Sequence, residues 1–95
     1  MTKFEDLVNL LRALKKSGKM AVSPLARTRM DAASINYPAA FEAIDIGDAY
    51  PCREFDRVKF MTPDMIVFVA LGHDYDDVTM PFGFIVSAFK NRCVV

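Results

Sequence analysis

Ninety-five residues, 53% of them apolar, suffice for one domain with its own core, spanning residues 1–95, and are too few for two. Twelve basic and twelve acidic side chains cancel to a formal charge of zero at a pI near 6.5, which excludes long-range steering of the whole molecule toward nucleic acid or an anionic membrane. Two cysteines allow one disulfide at most, so packing must hold the fold.

The first stretch reads as helix. Thr2-Lys3-Phe4-Glu5 fits a capping box, in which the threonine hydroxyl accepts an orphan N–H and the glutamate reaches back. Phe4, Leu7, Val8, Leu11 and Leu14 then recur at helical spacing, Leu10 widens the stripe, and Asn9, Arg12 and Lys16 lie off it. The pattern predicts an amphipathic helix over residues 3 to 17, stopped at Gly18 behind two lysines that suit a negative helix end. Ser23-Pro24 predicts a second start, a capping serine followed by a proline whose missing N–H costs nothing there, and this helix should run to about Ala33. Pro38 blocks its continuation but can begin a third short helix through Ala39, Ala40 and Phe41, closed by Gly47.

Near Tyr50 the chain changes character and the period becomes two. Val58 and Phe60 alternate with Arg57, Lys59 and Met61, Thr62-Pro63-Asp64 supplies turn chemistry, and residues 65–71 form an apolar run rich in β-branched and aromatic side chains. Phe82, Phe84, Val86 and Ala88 alternate with Gly83, Ile85, Ser87 and Phe89, which predicts a third strand returning antiparallel. Residues 71–80, LGHDYDDVTM, read as the ten-residue loop between the last two strands. The expected fold is α+β, with N-terminal helices packed on a C-terminal three-stranded antiparallel meander and the first helix against the sheet.

That loop carries the one histidine of the chain beside Asp74, Asp76 and Asp77. Catalytic zinc asks for three protein ligands rich in imidazole or thiolate, and a calcium-binding helix–loop–helix asks for a glycine at its sixth position and a glutamate at its twelfth. Neither set is present, and the expectation is a solvated connection with no metal and no cofactor. Residues 52–57, CREFDR, approach the phosphate loop of cysteine phosphatases but separate thiol from arginine by four residues where five are needed, with no glycine to open the cradle. A hydrolase would have to assemble Cys52 or Cys93 with His73 in space.

Charge is segregated along the chain. Residues 7–30 hold six bases and no acid, residues 31–50 hold four acids and no base, and the expectation is that the two segments face one another. Residues 23–44, SPLARTRMDAASINYPAAFEAI, resemble a helix-turn-helix, which with a following hairpin implies a winged helix that reads DNA through residues 34–46. That reading segment carries Glu42 and Asp45 and no basic side chain, so a nucleic-acid role rests instead on Arg12, Lys16, Arg27 and Arg29 in the basic segment 12–29.

The start MTKFEDL lacks the character of a signal peptide, and the longest uncharged stretch of the second half, residues 78–89, falls short of a membrane span. The expected compartment is the cytoplasm and the expected partner another protein, with no membrane association. Both faces of the central strand are apolar, and the helices supply one long stripe to cover them. This predicts a small non-catalytic binding protein, such as a stoichiometric inhibitor or adaptor. Its contact surface would lie around Phe68, Phe82, Phe84 and Phe89, open to a partner or to a second copy in a homodimer. Nucleic-acid binding through the basic segment and a small hydrolase around Cys52 and His73 are the alternatives.

Overall fold

Helix α1 (Lys3–Lys16) buries Val8, Leu11 and Leu14 along one stripe, with Glu5 and Asp6 in its first turn and Lys15 and Lys16 in its last, each charge suited to its end of the helix dipole. The computed structural model describes residues 3–54 and 56–90, so the Thr2 cap, Phe55 and Cys93 lie outside the described residues. Gly18, at φ +73°, ends the helix: its N–H donates to the Lys15 carbonyl at 3.2 Å, and the N–H of Lys19 donates to that of Leu14 at 2.8 Å. Helix α2 (Pro24–Ala32) starts where expected, the Ser23 hydroxyl accepting the Ala26 N–H at 3.2 Å. It stops by the same device as α1 but without a glycine. Ser34 takes φ 57°, and the N–H of Ile35 donates to the Met30 carbonyl at 2.8 Å.

Helix α3 (Tyr37–Ile46) is capped by Asn36, which accepts the Ala39 N–H at 3.4 Å, and it buries Ala40, Ala43 and Ile44. At Gly47 any Cβ would strike the Ala43 carbonyl oxygen and crowd the Met61 backbone, so the chain can leave α3 for the sheet only through glycine. No helix among the described residues is long and apolar enough to cross a membrane.

The sheet is larger than a three-stranded meander. Five strands, β1 (Met20–Val22), β2 (Asp48–Pro51), β3 (Arg57–Met61), β4 (Met65–His73) and β5 (Pro81–Lys90), lie in the order β1-β5-β4-β3-β2. The expected meander is β3-β4-β5; the two short strands extend it at either edge. β1 pairs parallel to β5, Met20 beside Gly83, and β2 pairs antiparallel to β3, Asp48 beside Met61. Strand β4 also runs further than expected, to His73 opposite Pro81, which shortens the loop to residues 74–80. Helices α2 and α3 follow one another directly across residues 33–36, while β1 separates α1 from α2.

The expected alternation through β5 fails at one point. Phe68 pairs with Ser87 while Val69 pairs with Ile85, so Val86 is the extra residue of a β-bulge. One inserted residue exchanges the faces of everything after it. Ala88 therefore turns into the core, and Phe89 emerges on the side of Phe84 instead of opposite it. The core itself lies between the helices and one face of the sheet, where Val58, Phe60, Val67, Val69 and Ile85 meet Leu11, Met30 and Ile44, all fully buried.

Candidate functional site

Helices α1 and α3 pack against strands β3, β4 and β5, and α2 packs beside β5. The period of two then decides what the opposite face shows. With Val58 and Phe60 inward, β3 presents Arg57, Lys59 and Met61; with Val67 and Val69 inward, β4 presents Ile66, Phe68 and Ala70. Strand β5 adds Phe82, Phe84 and, through the bulge, Ser87 and Phe89. Of these side chains only Ser87 is buried, and among the described helices α2 alone reaches them, through Arg29 at Ser87.

The four phenylalanines singled out from sequence all lie on this open face. Phe68 and Phe89 meet edge to face, with ring centroids 6.1 Å apart at 85°, and Phe82 and Phe84 form a second pair at 5.2 Å. Phe89 is 46% exposed and Tyr50, from the neighbouring edge strand, 43%. Lys59 reaches over the Tyr50 ring, its ammonium 5.5 Å from the centroid.

At one end the face deepens into a cleft of about 620 Å³, walled by the loop at residues 51–54 and by Ser23, Leu25 and Arg29 at the start of α2. Phe68, Val86 and Phe89 give it an apolar lining. Arg29, Arg53, Arg57 and Lys59 bring four cations to it, against one acid, Glu54. Arg29 donates to the Ser87 hydroxyl at 3.2 Å, and an Arg57 terminal nitrogen stands 3.9 Å from Glu54. The Nε of Arg57 is buried without an acceptor among the described residues. The cationic cluster was half legible in sequence: Arg57 and Lys59 alternate outward on β3, but Arg29 and Arg53 reach them only through the tertiary fold.

The basic segment does not assemble as one surface. Arg12 donates from Nε to the Ile44 carbonyl at 2.9 Å and from Nη2 to that of Gly47 at 2.8 Å, with its guanidinium 5.4 Å above the Phe60 ring. It closes the carbonyl end of α3 and serves the core. Lys15 pairs with Asp45, which is the one contact joining the basic and acidic segments among the ion pairs of the described residues. Lys16 and Arg27 are exposed, and Arg29 belongs to the cleft.

In the loop, Asp74 accepts the Asp76 N–H at 2.8 Å, and Asp77 accepts both the N–H and the hydroxyl of Thr79, at 3.0 and 2.6 Å. These bonds hold the Asp77 carboxyl below the usual carboxylate range. The acids build the turn, and no three His, Cys, Asp or Glu side chains among the described residues converge on a cation position. His73 is exposed, its Nδ1 3.1 Å from the Asp74 carbonyl, whereas Cys52 lines the cleft. Burial, and next the Glu54 carboxylate, push the Cys52 thiol up, the reverse of what an activated nucleophile needs. Comparison of the chain with protein-family models, curated proteins and solved structures finds no match.

Proposed function

We propose that this is a small non-catalytic binding protein that acts by occupying a surface on another protein, as a stoichiometric inhibitor or adaptor does, and that the open sheet face is its contact surface. The observation that carries this is the sheet face left largely open by the described helices, with Phe89 exposed and Phe68, Phe82 and Phe84 half-buried upon it. Aromatic side chains held in pairs on a rigid sheet offer large apolar area at little conformational cost, which is how interface hot spots are built. A contiguous apolar patch of a few hundred Å² left in water forgoes several kcal/mol, roughly the net stability of a small domain, unless a partner covers it.

The test compares the tagged protein with Phe68→Asp and Phe89→Asp. Both positions lie outside the buried core, so both variants should keep the circular dichroism and melting of the parent. A partner captured by the parent, identified by mass spectrometry and purified, should lose roughly tenfold or more of its affinity for either variant. Light scattering on the same three proteins tests whether the partner is a second copy. Folded variants that keep full affinity for every partner sink the reading.

A second reading has its own observation. Lys59 and Phe68 are cross-strand neighbours, and Arg57, Ala70 and Phe84 form the adjacent row, an interleaving of cations and rings that suits stacked bases of a single strand. It predicts oligonucleotide binding that weakens steeply with salt, read by fluorescence anisotropy.

A further inference from the structure

We propose that the cleft between α2 and the loop at residues 51–54 receives an acidic segment of the partner protein, one in which carboxylates flank apolar side chains. This deepens the protein-binding reading and rests on it. Three features of the cleft point to that chemistry. The first is charge. A chain of zero net charge gathers four cations against one acid around a single cleft. The second is Arg57, whose side chain is 41% exposed at the cleft and whose terminal nitrogen stands 3.9 Å from Glu54, beyond hydrogen-bond reach. A guanidinium offers a fork of N–H donors that a carboxylate matches with two parallel hydrogen bonds, and an incoming carboxylate can meet its exposed edge. The third is the lining, where Phe68, Val86 and Phe89 are continuous with the open face and Leu25, 57% exposed, stands at the rim. A cleft of about 620 Å³ holds a few side chains, and its mixed walls fit an apolar residue between acids.

An acidic peptide suits these observations better than a nucleic acid. A phosphate chain needs cations spaced along its track. Here four gather around one cleft, and the outer rows of the face, through Ile66 and Met61 on one side and Phe82 on the other, carry none among the described residues.

The experiment is a selection of random displayed peptides on the immobilised intact protein, followed by titration of the best peptide into the ¹⁵N-labelled protein. Selected peptides should carry two or more acids beside apolar residues, and their addition should shift the amides of Arg29, Arg57 and residues 86–89. The double variant Arg29→Gln, Arg57→Gln, checked for an unchanged fold by its spectrum, should bind roughly tenfold or more weakly, and glutamine in place of the peptide's acids should do the same. Selected peptides without acids that shift Phe82 and Phe84 and leave the cleft unmoved overturn the acidic acceptor while the open face keeps its protein-binding role. Failure to select any peptide removes both. An oligothymidylate that shifts the cleft amides at physiological salt and displaces the peptide overturns the proposal in favour of nucleic acid.

Discussion

Ser34 sits in the left-handed region at the end of α2, a conformation that costs a side-chain-bearing residue about 1–2 kcal/mol and glycine almost nothing. Ser34→Gly should therefore raise stability by up to about 1 kcal/mol, part of the gain being offset by the freer unfolded chain, with urea denaturation as the measurement. The Asp77 turn makes a pH prediction of definite sign. Its carboxyl titrates below the ordinary value because Thr79 bonds the charged form. A depressed acid contributes order that is complete above its unfolded pKa and disappears as the pH falls through the folded one. Thr79→Val, which keeps the N–H and deletes the hydroxyl, should move the Asp77 titration part of the way back up, as followed by NMR. At this scale the sequence was legible wherever a side chain bonds its own neighbourhood, as Ser23 does at its cap. It was silent on Arg12, whose acceptors Ile44 and Gly47 lie more than thirty positions away.

At the scale of elements, helices were easier to read than strands for a physical reason. A helix is written locally, in its caps and its stripe, and α1, α2 and α3 keep close to their expected bounds. The β1 segment has three residues, too few to display a period, and β2 contains Asp48 and Pro51, poor strand formers acceptable at an edge. Both exist because a neighbouring strand offers them hydrogen bonds, which no local pattern records. The bulge at Val86 is equally invisible to alternation, and it decides where Phe89 points. Deleting Val86 takes out the extra residue and leaves Ile85 opposite Val69 and Ser87 opposite Phe68, with Ala88 still inward and Phe89 still outward. The deletion should therefore close the ladder without exchanging faces and keep the parent's fold, checked by circular dichroism and by the midpoint of chemical denaturation.

The whole molecule is a two-layer structure with one layer missing, helices on one side of the sheet and none among the described residues on the other. Its lateral edges discourage growth by strand addition, since β1 is very short and β2 ends in proline. On the proposed reading, association would then use the face, where the aromatic pairs and the cationic cleft lie together. That both faces of β4 are apolar was legible in the alternation of residues 65–71. Locating the cleft required knowing that α2 comes to rest beside β5.

The parallel pairing of β1 with β5 joins Met20 to Gly83, a separation of 63 positions (83 − 20) along a 95-residue chain. Closing so long a loop exacts conformational entropy before the short strand returns any contact. The expected order is that the hairpins β3-β4 and β4-β5 form first from near neighbours and β1 adds to the finished edge last. Ala21→Gly, in the middle of β1, should accordingly leave the refolding rate almost unchanged and appear nearly all as faster unfolding in a stopped-flow chevron. During synthesis the same order means that the helical half of the chain leaves the ribosome with Leu11 and Met30 still lacking their sheet, and it gains that cover only once Ile85 has emerged.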